Sequence, residues 1–212
     1  MSDFDTERSR MVAEQLESRG IVDRRVLDAM GRVPRELFVD DEERVRAYLD
    51  MPLRIGYGQT ISQPYMVAIM CQTAEVGEGD HVLDIGTGSG YQAAVLAELG
   101  AEVHTIERIP ELAERATERL QAAGYDSVDV HVGDGSVGLP EHAPYDAIVV
   151  AAAAPHMPES LYEQLVPAGR LVVPVGGPMG QRLEVIVRSP EGPAITRSVP
   201  CRFVPLVGAE GF

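Results

Sequence analysis

His81-Val82-Leu83-Asp84-Ile85-Gly86-Thr87-Gly88-Ser89-Gly90-Tyr91 decides the fold of this chain. A short apolar strand carries an acid near its end, glycines follow at alternate positions, and a helix starts at Tyr91-Gln92-Ala93-Ala94. A strand that turns through glycines into a helix N-terminus is a nucleotide-binding device. Glycine lets the backbone approach a ligand closely, and the first helical N–H groups remain free to face it. The spacing narrows the ligand. A dinucleotide fingerprint needs glycine at positions one, three and six. Here glycine stands at one, three and five, and Tyr91 takes the sixth place. Gly86, Thr87, Gly88, Ser89 and Gly90 are the candidate ligand contacts, together with Asp84 two residues before the first glycine.

Composition sets the limits around this unit. With 212 residues, 45% of them hydrophobic, the chain has the length for one well-packed globular domain rather than two. No apolar run approaches the ~20 residues of a membrane span, so no membrane partner is expected. Met1 to Arg10 is charged and carries no signal-peptide core. Cys71 and Cys201 are the only cysteines and show no C-x-x-C spacing, which fits two reduced thiols in the cytoplasm. There are 33 acids against 18 bases, every base is arginine, and the net charge is −15. Such a chain repels polyanions, which excludes nucleic acid as an expected partner. A GC-rich genome accounts for the missing lysine but not for the acid excess. Both fit a surface kept soluble in molar salt, where screening shortens self-repulsion to ~3 Å.

The chain has no repeats, low-complexity segments or linkers. Residues 1–75 read as an N-terminal extension of helices and loops, with helices over Thr6–Arg19 and from Asp23 to Met30. Residues 76–212 alternate strands and helices, as in a parallel α/β sheet. Strands are predicted at His81–Ile85, Glu102–Ile106, Val128–Val132, Asp146–Ala151, Arg170–Val175, Leu183–Arg188 and near Cys201–Leu206. Helices are predicted at Tyr91–Leu99, Pro110–Ala123 and Pro158–Leu165. The fold class is α/β, a Rossmann-like doubly wound and mostly parallel sheet, in one domain. Right-handed crossovers gather its ligand at the carboxyl ends of the strands.

Further residues fall where such a sheet uses them. Glu107 ends the second strand, where a carboxylate can accept both hydroxyls of a ribose. Gly133-Asp134-Gly135 ends the third, where Asp134 could accept an adenine amino group, although Asp-Gly is also a common turn pair. His81, His104, His131, His142 and His156 show no ligand spacing, so no metal site is expected. Neither a G-x-S-x-G elbow nor a Walker A motif is present.

The acid followed by G-x-G-x-G resembles motif I of the class I S-adenosylmethionine (AdoMet) methyltransferases. A second block is more specific: Gly56-Tyr57-Gly58-Gln59-Thr60-Ile61-Ser62-Gln63-Pro64-Tyr65-Met66-Val67-Ala68. From the residues alone it is a glycine-flexible loop entering a helix, with Ser62 or Gln63 as cap and Pro64 in the first turn. It resembles the hallmark of the protein-L-isoaspartate (D-aspartate) O-methyltransferases. Val33-Pro34-Arg35-Glu36-Leu37-Phe38-Val39, Ala47-Tyr48-x-Asp50, Val82–Leu99, Gln164–Gly176 and Arg202-Phe203-Val204-Pro205-Leu206 resemble the same family, so the likeness spans about residues 8 to 207. Ala168-Gly169, where that family often has Gly-Gly, is a minor departure.

The resemblance implies repair of damaged proteins. Asn and Asp cyclise spontaneously to succinimides that reopen mostly to isoaspartate. Methylation of its α-carboxylate gives a labile ester that closes again to succinimide, and repeated cycles regenerate aspartate. It further implies AdoMet as methyl donor, with S-adenosyl-L-homocysteine as product, and isoaspartyl proteins and peptides as partners. Gln59, Thr60 and Ile61 would line the AdoMet pocket, Ser62 would orient the substrate carboxylate, and Val204 would offer backbone groups to an extended peptide. A monomer is expected. The rival readings are another class I methyltransferase acting on a small molecule, and a non-catalytic AdoMet-binding adaptor.

Overall fold

The computed structural model describes residues 3–212. Helix α1 spans Asp3–Met11, and the chain then loosens into a π-helical turn, Val12–Leu16, and a 3-10 turn, Glu17–Arg19. The long helix expected over Thr6–Arg19 is therefore interrupted. It ends at Gly20, whose φ of 91° is the left-handed conformation glycine adopts freely. Helix α2, Arg24–Arg32, starts at Asp23, whose side chain accepts from Arg25 N at 2.9 Å. Val26, Leu27, Ala29 and Met30 form its buried face.

The first 75 residues are not all helix and loop. Strands β1 (Leu53–Gly56) and β2 (Gln59–Ile61) form an antiparallel hairpin closed by Tyr57-Gly58. Both residues have positive φ, 52° and 74°. That is the requirement of a tight type I′ turn, and Gly-Tyr-Gly is the signal that sequence reading passed over. Arg115 Nη1 donates to Ile55 O at 3.1 Å and ties the hairpin to a later helix. Helix α3 follows at Pro64–Ala74.

Strands β3 (His81–Ile85), β4 (Glu102–Glu107), β5 (Asp129–Val132), β6 (Tyr145–Val150), β7 (Leu165–Gly177), β8 (Gly180–Ser189) and β9 (Gly192–Cys201) make one seven-stranded sheet in the order β5-β4-β3-β6-β7-β8-β9. Helices α4 (Tyr91–Glu98), α5 (Pro110–Ala122) and α6 (Glu159–Glu163) lie between strands. The β5-to-β7 part is parallel, whereas β7, β8 and β9 pair antiparallel. Pro178-Met179 and Pro190-Glu191 are two-residue connections, too short for the crossover that a parallel neighbour requires. The last strand is Gly192–Cys201 rather than Cys201–Leu206. The later segment makes an isolated bridge, Ala153 to Pro205.

Apolar side chains divide between the two faces of the sheet. Val82 and Val103 join Met66, Tyr91 and Leu112 from α3, α4 and α5 in the larger cluster. Leu83, Ile85 and Ile106 join Leu139 and Leu161 on the other face. Among the described residues, no helix is long and apolar enough to cross a membrane.

Candidate active site

A cleft opens at the carboxyl ends of β3, β4 and β6, where the strand order reverses direction around β3. Its floor is Gly86-Thr87-Gly88-Ser89. Gly86, Gly88 and Gly90 have φ of 91°, 53° and 90°, which side-chain-bearing residues rarely adopt. Gly90 does not line the cleft. A Cβ there would lie 3.1 Å from Leu120 Cγ, so this glycine lets α4 pack against α5.

Asp84 is fully buried behind the turn and does not line the cleft, which corrects its expected place among the ligand contacts. It accepts from Gln92 Nε2 at 2.7 Å and from Thr105 Oγ1 at 2.8 Å. Thr105 in turn meets Thr87 Oγ1 at 2.7 Å. The acid thus fixes the first turn of α4 and the glycine turn to β4. Burial pushes its pKa up from 3.8 to about 6, against the two hydrogen bonds that favour its charge. Gln92 lines the cleft, and its Oε1 is buried without a protein partner. That orphan acceptor is a feature a ligand donor can satisfy.

Glu107, at the end of β4, lines the cleft and is 7% exposed. Oε2 accepts from Gly88 N at 2.9 Å and Oε1 from Ile109 N at 3.0 Å, so both oxygens are held in place with lone pairs to spare. Gly135 also lines the cleft, and a Cβ there would sit 2.6 Å from Ile85 Cγ2. Gly133 and Asp134 do not reach it. Asp134 Oδ1 accepts from Ser136 N and Oγ, and Oδ2 accepts from Ala209 N at 2.8 Å. Burial works to raise its pKa, but these bonds outweigh it and hold the carboxyl below its usual range. Asp134 pins the C-terminal segment, as the turn reading of Asp-Gly allowed.

The opposite lip is Gln59-Thr60-Ile61-Ser62. Ser62 is not a helix cap. Asp50 does that work from 15 residues away, accepting from Tyr65 N at 3.1 Å and from Gln63 Nε2 at 3.2 Å. No hydrogen bond among the described residues engages the Ser62 hydroxyl, while its backbone carbonyl accepts from Arg35 Nη2 at 2.8 Å. Ser62 lines both the cleft and an adjoining small pocket bounded by Pro52, Met66, Arg202, Phe203 and Val204. Val204 O already accepts from Ala153 N at 2.8 Å, so its carbonyl is less available to a peptide than expected.

Sequence reasoning missed Arg35, Asp50 and Gln92. All three lie in stretches that resemble the family, but nothing in those stretches gave the residues their roles. The histidines, without ligand spacing along the chain, do meet in space. His104, His131 and His142 present ligand atoms within 4.8 Å of one another, outside the cleft.

A glycine turn after β3, an acid closing β4 and a sheet that ends in antiparallel hairpins define a class I AdoMet-dependent methyltransferase. The sequence pattern of the protein-L-isoaspartate(D-aspartate) O-methyltransferase family matches residues 6–211. A protein-L-isoaspartate O-methyltransferase 1 from Syntrophobacter fumaroxidans is 53% identical, over 100% of this chain and 99% of its own. A relative of the same activity name from Ignicoccus hospitalis is 54% identical over 96% of this chain and 99% of its own. Among solved structures, a Plasmodium falciparum protein described as a protein-L-isoaspartate O-methyltransferase, in complex with S-adenosyl-L-homocysteine, superposes with a TM-score of 0.83 at 26% identity. It covers 94% of this chain and 98% of that one. The chain belongs to the protein-L-isoaspartate (D-aspartate) O-methyltransferase family. It is an AdoMet-dependent carboxyl methyltransferase acting on isoaspartyl residues of damaged proteins.

Proposed function

We propose that Ser62 orients the isoaspartyl α-carboxylate for methylation, that the glycine turn and Glu107 hold AdoMet, and that the damaged peptide enters along Arg202–Val204. One observation carries this assignment: Ser62, whose hydroxyl makes no hydrogen bond among the described residues, lines both the cleft and the small pocket beside it.

AdoMet, when bound, supplies a sulfonium methyl group as electrophile. The cleft residues fit it. Glu107 offers charged acceptors for two ribose hydroxyls. Gly86–Ser89 give close backbone approach, and Gln92 Oε1 awaits a donor. Gln59, Thr60 and Ile61 close the opposite side, and Gly135 leaves room beside Ile106 and Ile109. Asp84, Gly90, Gly133 and Asp134 act one layer back, by holding these groups in place.

The acceptor carboxylate is already ionised at pH 7, so the protein needs no strong base. Its task is alignment of oxygen, carbon and sulfur within about 3–3.5 Å. A serine hydroxyl that stays protonated can donate to one carboxylate oxygen and leave the other to attack. The ester formed then closes to succinimide without further help from the protein.

The reading includes a monomer working in the cytoplasm, with neither nucleic acid nor membrane as partner. The net charge of −15 argues against a polyanionic partner, and the two free thiols suit a reducing compartment. Ser62→Ala is the test. Turnover of an isoaspartyl peptide should fall by about ten- to a thousandfold while AdoMet affinity stays within about twofold. Normal turnover per folded molecule contradicts the assignment.

A further inference from the structure

Strands β4 and β5 bring two histidines together on the sheet face away from α4 and α5. His104 stands opposite Asp129, and His131 opposite Ile106, so the two side chains share a face two residues apart. The 3-10 turn Pro140–His142 covers that face and adds His142, whose ring lies 4.3 Å from that of His104 and 5.0 Å from that of His131. His104 Nδ1 is 3.1 Å from His131 Nε2. The Asp129 carboxylate stands 3.9 Å from the same Nδ1 and is 69% exposed, free to swing inward. His81 packs edge-on against His104 at 5.0 Å but spends its Nδ1–H on Pro144 O at 3.0 Å. None of these residues lines the methyl-transfer cleft.

We propose that His104, His131 and His142 form a binding site for a four-coordinate transition-metal ion of the zinc class, with Asp129 or water in the fourth position. Metal–imidazole bonds of about 2.0–2.1 Å in a tetrahedral site place ligand nitrogens about 3.4 Å apart. The closest pair already stands near that spacing, and the full set within 4.8 Å needs only side-chain rotation. Three imidazoles with one oxygen donor suit zinc, cobalt, nickel or copper and not magnesium or calcium, which take oxygen shells. The ion would staple edge strand β5 and the 140–142 turn to β4. It has no part in methyl transfer, and the site lies apart from the proposed catalytic residues.

The test uses the full-length chain without a histidine tag, stripped by a chelator and titrated with zinc. One equivalent should bind with Kd of about 1 μM or tighter, and His131→Gln and His142→Gln should each weaken binding by at least about tenfold. Methyl transfer should be unchanged in both variants. Zinc-edge X-ray absorption of the loaded wild type decides the matter even if a variant misfolds, and should show three imidazoles. An all-oxygen shell, no saturable binding, or binding indifferent to both substitutions overturns the site and leaves only surface carboxylates collecting metal.

Discussion

Arg35 Nη2 donates to the backbone carbonyl of Ser62 at 2.8 Å, across 27 residues of sequence. Nε of the same guanidinium donates to Ala47 O at 2.7 Å, and its carbon lies 4.7 Å from the Tyr91 ring centroid at the start of α4. Arg35 is wholly buried and, among the described residues, has no carboxylate within ion-pair distance. Burial draws its pKa down, yet a guanidinium remains charged in proteins. A buried cation therefore fixes the backbone of the residue proposed to orient substrate against the helix that follows the glycine turn.

Arg35→Lys keeps the charge but loses the fork that reaches two carbonyls. One of them is left unpaired, at about 1–3 kcal/mol of stability. If Arg35 positions Ser62, kcat for an isoaspartyl peptide falls at least about tenfold while AdoMet affinity holds. A purely structural role lowers the melting temperature and leaves turnover per folded molecule intact.

Glu107→Ala removes a doubly anchored charged acceptor from the cleft. AdoMet should bind at least about tenfold more weakly, in line with about 2–4 kcal/mol for charged hydrogen bonds. Calorimetry reads this directly, and unchanged affinity removes Glu107 from the AdoMet site.

Asp84 has a folded-state pKa of about 6 against 3.8 when unfolded. In that window the unfolded chain holds fewer protons, so this group's contribution falls as pH rises from about 4 to 6 and stays low above. The full effect is about 3 kcal/mol. Asp84→Asn cannot titrate, and its amide can donate to a flipped Gln92 while still accepting from Thr105. Its melting temperature relative to wild type should therefore climb between pH 4 and 6 and then level off. A difference independent of pH shows that Asp84 is not raised.

Much of this was legible because it is local. The run His81–Ile85 followed by alternate glycines gives β3 and the turn residue by residue, since strand periodicity and positive φ leave marks in sequence. Glu107 and Gly135 were legible from their place at strand ends. Asp84 was found but misplaced, because an acid before a glycine turn looks the same whether it faces ligand or core. What was hidden depends on distant pairing. Asp50 capping α3, Arg35 holding Ser62 and the meeting of His104, His131 and His142 join residues whose separation carries no period. The final strand was misplaced for another reason, since Gly192–Cys201 is largely exposed and lacks the apolar run of a buried strand.

The acid excess predicts a response to salt. With 33 acids against 18 arginines, stability should rise from ~0.1 M to molar KCl as self-repulsion is screened. Most of that gain should be complete by ~1 M, where the Debye length is about 3 Å. Thermal melts across a KCl series that are flat or falling favour codon bias as the origin of the composition.

The most direct measurement is transfer of labelled methyl from AdoMet by the wild-type chain to an isoaspartyl peptide and to its aspartyl twin. The account predicts base-labile label on the isoaspartyl peptide and none above background on the twin. Equal labelling of both, or of neither, contradicts it.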